Sequence, residues 1–133
     1  MLKYRAKSFL KDVHGGSLAE FAMVVPAFFA LVFAVIHLSF VTWGMTAMHW
    51  ACETAARCAS INVPLGASGA TCTDNNSTKA YAATEYKGPN MSVVFTSDIA
   101  NSCGKKVSAT ASYAMNVVVT KITLNLSAQA CNH

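Results

Sequence analysis

The chain has 133 residues, which is enough for one small domain. Only 12% of its residues are charged, against about 25% in ordinary soluble proteins, and 53% are hydrophobic. So few charges exclude the polar shell of a compact soluble enzyme, and so many apolar residues exclude a disordered chain. Residues 21–52 contain no formal charge. The composition therefore predicts a membrane-anchored protein with a small polar domain.

The first fifteen residues form a basic segment. Four lysine or arginine side chains and one aspartate give residues 1–15 a net charge of +3. A basic flank ahead of an apolar segment stays on the cytoplasmic side, so we expect the C-terminal domain on the other side of the membrane. Nucleic-acid binding would need a basic surface on that domain. Its basic residues form no cluster beyond Lys105 and Lys106, so we expect no nucleic-acid partner.

An apolar segment runs from Phe21 to Trp43. As a helix it would measure about 35 Å, enough to cross a bilayer with some tilt. A cleaved secretory signal is the alternative, but its apolar region usually has about 7–15 residues and ends at small residues. This segment is longer and continues into helix-like sequence. We therefore predict a retained membrane span over residues 21–43.

The helix is predicted to continue beyond the span. Apolar side chains recur at intervals of three and four residues, which is typical of one helix face, at Met45, Met48, Cys52, Ala55 and Ala59. Pro64 and Gly66 predict the end of the helix, so we expect one long helix over residues 16–61. This apolar face would pack against the chain's own C-terminal domain or against the helix of another subunit.

The junction between the basic segment and the span contains Gly15, Gly16 and Glu20. Glu20 places a carboxylate at the edge of a hydrocarbon segment, where an ionised group is costly unless it is paired. One interpretation is that lipid headgroups and water solvate it. The other is that a cut after Gly15 frees an amine on Gly16, which pairs with Glu20 of a neighbouring copy in low dielectric.

Residues 15–26 resemble the TadE family, whose members are pseudopilins of the bacterial tight-adherence (Tad) pilus. The basic leader before them and the uncharged span after them strengthen the resemblance. Gly15, Glu20, Phe21 and Pro26 match the family pattern position by position. The resemblance implies that a prepilin peptidase cuts between Gly15 and Gly16. It also implies that Glu20, Phe21 and Pro26 serve subunit registration during assembly, and that the protein has no catalytic role.

The resemblance further implies a location and partners. We expect a single-pass protein of the bacterial inner membrane, with a cytoplasmic N-terminus and a periplasmic head, which enters the extracellular pilus if it is assembled. The implied partners are the prepilin peptidase, other pilin or pseudopilin subunits packed on the N-terminal helix, the Tad inner-membrane assembly platform, and the lipid bilayer.

Residues 62–133 are predicted to form the head. Cap-forming residues at 74–77 precede a helical segment at 78–87 that ends before Gly-Pro.

Three strands are predicted in the head. Residues 91–96 are rich in strand formers, and apolar and polar residues alternate over 107–115 and 122–128. We expect the last two strands to pair as an antiparallel hairpin. The predicted fold class is α+β, a long transmembrane helix continuing into a small head, and the resemblance implies a type IV pilin-like arrangement.

Cys103 and Cys131 bracket this hairpin. Matching the apolar faces of the two strands pairs residue 113 with 122, which places Cys131 opposite Gly104 and next to Cys103. With a bulge at Gly104, we predict a disulfide between Cys103 and Cys131.

The remaining cysteines are Cys52, Cys58 and Cys72. Cys58 and Cys72 flank a loop containing Pro and Gly, and we predict a disulfide that closes it and contributes about 3 kcal/mol. Cys52 is left over, either as a buried helix residue or as a partner for another chain.

The sequence offers little chemistry. It has no C-x-x-C pair, no phosphate-binding glycine loop and no acidic cluster, so we expect no metal and no cofactor. His49 and Cys52 are one helical turn apart but lack a third orienting group, so we expect no catalytic residue and no enzyme. The leading hypothesis is a minor pseudopilin acting in pilus assembly, adhesion or surface attachment. The alternative is an unprocessed, single-span, membrane-anchored periplasmic binding module of a secretion or envelope assembly.

Overall fold

A computed structural model describes residues 16–65, 71–117 and 120–133 of the chain. In chain order, its elements are helix α1 (Gly16–Leu65), helix α2 (Asn75–Glu85) and strands β1 (Val94–Asn101), β2 (Gly104–Val117) and β3 (Thr120–Asn132). The predicted fold class is confirmed: a long apolar N-terminal helix is followed by a small α+β head. The chain divides into two compact units, the first ending at Leu38 and the second beginning at Ser39.

Helix α1 is 50 residues long and ends at Leu65, four residues beyond the predicted end. Pro64 lies in its last turn. A proline lacks the backbone N–H and so removes one intrahelical hydrogen bond there. Its fixed φ angle is compatible with a helix, so the last turn still forms. Within the described residues, α1 is the helix that is long and apolar enough to cross a membrane, and its apolar 18-residue window has a mean hydropathy of 2.5.

The head contains one antiparallel sheet in the order β1-β2-β3. The predicted hairpin of β2 and β3 is present, but its predicted register is wrong by two residues, since Tyr113 pairs with Leu124. A shift of two residues leaves every side chain on the same face, so apolar alternation cannot distinguish the two registers. The length of the connection between β2 and β3 fixes the register, because Val117 pairs with Thr120 and two residues remain to join the strands.

The core of the head lies between the second half of α1 and the sheet. Its buried residues come from α1 (Met48, Cys52, Ala55, Ala56), from α2 (Ala82) and from the sheet (Val107, Ala109, Ala111, Leu126, Ala128). The predicted helix face therefore packs against the chain's own head. One member of that face was wrongly assigned: Met45 is 39% exposed. Gly44 is buried in its place, beside Pro89 and Met91.

Helix α2 begins at Asn75, three residues before the predicted start, because Asp74 caps it. The Asp74 carboxylate accepts hydrogen bonds from the backbone amides of Asn76 (2.8 Å) and Ser77 (2.7 Å). The Ser77 hydroxyl accepts a hydrogen bond from the Asp74 amide at 3.1 Å, which completes a capping box.

Strand β1 begins at Val94, three residues later than predicted.

Candidate assembly site

The predicted processing junction lies at the start of α1. Gly15 and the predicted leader, 1–15, fall outside the described residues, whereas Gly16 is the first residue of the helix. Gly16 and Glu20 are both exposed. Because four residues make about one helical turn, the Gly16 amine freed by a cut and the Glu20 carboxylate would lie on the same side of α1.

The exposed surface of α1 from Phe21 to Leu38 is apolar. Large hydrophobic side chains are exposed throughout the first unit: Leu18, Phe21, Met23, Val24, Phe28, Phe29, Leu31, Phe33, Val35, Ile36 and Leu38. Phe21, one of the predicted registration residues, is 67% exposed. A helix that is apolar all round requires lipid or other helices around it. This surface is consistent with a membrane-anchored protein.

Pro26 lies in the interior of α1, and its side chain is exposed. Proline has no backbone N–H, so the carbonyl oxygen of Ala22 loses its usual intrahelical donor. In a bilayer such a carbonyl is satisfied by neighbouring helices, polar side chains or water. The predicted site thus contains two polar acceptors in an apolar surface, the Glu20 carboxylate and the Ala22 carbonyl.

The first disulfide joins α1 to the chain that precedes α2. Cys58 and Cys72 are bonded, with their Cα atoms 5.8 Å apart, which is the pair that the sequence analysis predicts. The amide of Asn62 also donates a hydrogen bond to the carbonyl oxygen of Thr71 at 2.8 Å. Cys72 is fully buried and has a φ of +64°, an uncommon conformation for a non-glycine residue.

The second disulfide joins Cys103 to Cys131, with Cα atoms 6.1 Å apart, and is also the predicted pair. Its predicted geometry is wrong, because Cys131 lies opposite Lys106 and not opposite Gly104. Cys103 lies in the turn before β2, so strand alternation does not restrict its side chain and no bulge between β2 and β3 is needed. Gly104 instead takes a φ of +105°, with its Cα against the backbone of Asn132.

Cys52 is the free cysteine among the described residues, and it is fully buried. Its position is outside the predicted span and inside the core of the head, where burial raises the pKa of its thiol to about 11. The Cys52 side chain faces the carbonyl oxygen of Ala128 at 4.0 Å, whereas His49 is exposed. The structure therefore does not pair these two side chains as nucleophile and base.

Local hydrogen bonds lower the pKa values of two carboxyl groups of the head, Asp74 and Asp98. The backbone amide and hydroxyl of Ser77 hold the pKa of Asp74 below its usual value. The side-chain amide of Asn101 lowers the pKa of Asp98 in the same way, with a contribution from the Ala100 amide.

Within the described parts of the chain, no three His, Cys, Asp or Glu residues lie close enough together to hold a metal ion.

Two residues that organise the head were missed by the sequence analysis. The side-chain oxygen of Asn75 accepts hydrogen bonds from the Ile99 amide (3.0 Å) and from the Ser97 hydroxyl (3.4 Å). Gly44 lets the side chains of Met91 and Pro89 approach α1 closely. A glycine in the middle of a helix is unfavourable, so it was a signal of close packing in the sequence.

The fold defines a class: α+β proteins with an N-terminal apolar helix long enough to cross a membrane and a disulfide-bonded head. Within that class, residues 15–57 match the model of the family described as TadE-like protein. The match begins at Gly15 and includes Glu20, Phe21 and Pro26, so the predicted family resemblance is confirmed over this segment. No curated protein and no solved structure matches the chain.

Proposed function

We propose that this chain is a minor pseudopilin of a bacterial Tad pilus, a type IVb-like system, and acts in pilus assembly, adhesion or surface attachment. The observation that carries the proposal is the family match beginning at Gly15, together with the exposed apolar helix that follows. The matched segment contains the Gly15–Gly16 junction, an acidic residue one helical turn later and an apolar surface, and these features support assembly through helix packing.

In this proposal, a prepilin peptidase removes residues 1–15 on the cytoplasmic face of the inner membrane. The apolar part of α1 then remains in the bilayer, and the head lies in the periplasm. Two disulfides in a small head support this placement, because such bonds persist in oxidising compartments.

Glu20 acts in registration between subunits in this proposal. Its carboxylate pairs with the new Gly16 amine of the adjacent subunit, and the attraction is strong because the surrounding side chains are apolar. The same α1 surface would contact the other pilin or pseudopilin subunits and the Tad inner-membrane assembly platform. The protein thus acts by packing and not by catalysis.

The decisive experiment is mass spectrometry of the protein's N-terminus from cells with and without the prepilin peptidase. The expected mature chain begins at Gly16 when the peptidase is present and at Met1 or its formyl form when it is absent. An intact N-terminus in cells that assemble the pilus contradicts the proposal and favours the unprocessed, membrane-anchored binding module.

A second experiment separates processing from assembly. Glu20→Ala is expected to leave cleavage intact and to reduce incorporation into pili, because the mature chain loses the partner of its amine. Glu53→Ala is the matched control, since Glu53 is also an exposed α1 carboxylate but lies in the head. Equal pilus incorporation by the two variants contradicts the registration role of Glu20.

A further inference from the structure

The two disulfides of the head differ in their exposure to solvent. Cys72 is fully buried, and its partner Cys58 is half-buried, with the sulfur 3.5 Å from the side-chain nitrogen of Asn62. In the other disulfide, Cys131 is exposed and Cys103 is half-buried. Thiol–disulfide exchange begins when a thiolate attacks one of the two sulfurs, so its rate depends on access to that sulfur. Exposure therefore favours exchange at the bond between Cys103 and Cys131.

There is space beside this disulfide. One cavity of about 320 Å³ contains both of its cysteines in its wall, which is formed by Cys103, Lys106, Gln129, Ala130 and Cys131. A second cavity, of about 290 Å³, borders Cys131 from the side of α1. Cys131 also belongs to β3, which is an outer strand of the sheet. A thiol reagent, including one carried by another protein, therefore has room to approach Cys131.

A lysine lies next to the same disulfide. Lys106 of β2 pairs directly with Cys131 of β3 and, on its other side, with Asp98 of β1. Residues directly opposite each other in an antiparallel pair share one face of the sheet, with their Cβ atoms about 5 Å apart. A nearby cation lowers the pKa of a cysteine thiol, and a thiol of lower pKa leaves faster in exchange. Lys106 thus favours exchange here, although Asp98 offsets part of its charge.

We propose that the bond between Cys103 and Cys131 is a reversible thiol–disulfide exchange site for a dithiol protein. A thiolate of that protein attacks the exposed Cys131 sulfur, the bond between the two sulfurs breaks, and Cys103 leaves as a thiolate beside Lys106. The second thiol of the partner, as a thiolate, then attacks the mixed disulfide and releases Cys131. Two electrons and two protons pass to the head, and the partner becomes a disulfide. This site goes beyond the proposed function and does not depend on it.

Both cysteines are held in place by contacts other than their disulfide. The Cys103 amide donates a hydrogen bond to Asn101 Oδ1 at 3.2 Å, and the Asn101 side-chain amide donates to the Asp98 carboxylate at 3.0 Å. Cys131 belongs to the uninterrupted pairing of Thr120–Asn132 with β2. Reduction therefore leaves the two thiols close together in a folded sheet, which makes the exchange reversible.

The first test is partial reduction of the purified full chain in detergent micelles. Dithiothreitol opens the disulfides, N-ethylmaleimide blocks the free thiols at intervals, and peptide mapping counts the bonds that remain. The Cys103–Cys131 bond is expected to open about tenfold faster than the Cys58–Cys72 bond or more, with an unchanged circular dichroism spectrum. Equal rates, the opposite order or loss of the spectrum when this bond opens overturns the proposal.

Substitutions of Lys106 test the role of its charge. Lys106→Gln is expected to slow the opening of this bond about two- to fourfold, the effect of one charge about 5 Å away in a water-like dielectric, and Lys106→Arg is expected to retain the wild-type rate. Lys121→Gln is the matched control, because Lys121 is a strand lysine ten residues from Cys131 along β3. Equal rates for the two glutamine variants overturn the role of Lys106.

A protein reagent tests the class of partner. Thioredoxin is a dithiol protein, and a form whose second reactive cysteine is replaced by serine stays bonded to the sulfur that it attacks. This form is expected to give a mixed disulfide with the full chain at Cys131, located by peptide mapping. A mixed disulfide at any other cysteine, or none under conditions in which dithiothreitol opens the bond, overturns the proposal.

Discussion

The sulfur of Cys52 in α1 lies 4.0 Å from the carbonyl oxygen of Ala128 in β3, and the two residues are 76 positions apart in the chain. Both residues are buried in the same core. The contact shows that the second half of α1 is a structural part of the head and not only a connection to the anchor.

Cys52 is therefore expected to resist alkylation in the folded protein. The thiolate is the reactive form, and burial both excludes the reagent and raises the pKa of this thiol to about 11. Mass spectrometry after maleimide treatment at pH 7 should show no adduct without denaturant and one adduct after unfolding under non-reducing conditions. Rapid labelling of the native protein contradicts the burial of Cys52.

The same pKa shift predicts a loss of stability in alkaline solution. The folded state retains the Cys52 proton up to a pKa of about 11, whereas the ordinary value is 9.0. Above pH 9 the unfolded state binds fewer protons than the folded state, so the free energy of unfolding falls as the pH rises from 9 towards 11. Cys52→Ala should show a shallower fall over this interval in thermal unfolding, and an identical slope would assign the effect to other groups.

The two disulfides are expected to stabilise the head by similar amounts. They close chain segments with separations of 14 and 28 residues, and loops of this size correspond to about 3–4 kcal/mol in the chain-entropy model. Replacing either pair by serine, as Cys58→Ser/Cys72→Ser or Cys103→Ser/Cys131→Ser, should reduce the free energy of unfolding by about 2–4 kcal/mol. Chemical denaturation of the full chain measures it, and unchanged midpoints in both variants would contradict this role.

Gly104 is expected to tolerate no side chain. Its φ of +105° is unfavourable for any other residue, and an added Cβ would collide with the backbone of Asn132, which cannot move aside as a flexible side chain could. Gly104→Ala should cost about 1–3 kcal/mol of stability. Gly16→Ala is the control, because a Cβ at Gly16 meets no atom within 4 Å. Equal thermal midpoints for the two variants contradict the constraint at Gly104.

Asp74 is expected to stabilise α2 in a pH-dependent way. Hydrogen bonds from Ser77 lower the pKa of Asp74, so the folded state binds fewer protons than the unfolded state near pH 4. Its contribution is therefore complete above the unfolded value of about 3.9 and is lost as the pH falls through the lower, folded value. Asp74→Ala should lower the thermal midpoint at pH 7, and the difference from wild type should shrink at pH 2.

Asp74→Asn distinguishes the charge from the hydrogen bonds. Asparagine caps helices about as well as aspartate, so this variant should retain most of the stability at pH 7 and lose the dependence on acid. A midpoint as low as that of Asp74→Ala would show that the capping hydrogen bonds contribute little.

The parts of the structure that the sequence predicts are those governed by local periodicity. The uncharged run and the small apolar residues after it are enough to predict α1, and alternation predicts β2 and β3. Register is different, because a shift of two residues preserves the alternation, so the pairing of Tyr113 with Leu124 was not predictable from the pattern.

Long-range contacts account for the other differences. The hydrogen bond from the Ile99 amide to Asn75 joins residues 24 positions apart. The cap pattern at 74–77 includes Asn75 but does not indicate a contact with β1. The bridge between Cys103 and Cys131 was predicted from its position around the hairpin, although the assumed geometry was wrong. At the junction, Glu20, Phe21 and Pro26 were assigned from the resemblance to the TadE family, while their exposure required the structure.

The bond between Cys58 and Cys72 also bears on how the protein would respond to mechanical force. Any pull between α1 and α2 would otherwise pass through the whole segment from Cys58 to Cys72, that is, the last two turns of α1 and the loop after it. Fully extended, this segment exceeds the 5.8 Å between the two Cα atoms by roughly 40–45 Å. The disulfide carries this force directly, so the loop adds no slack between α1 and α2. A break in the loop would likewise leave the head covalently attached to the helix.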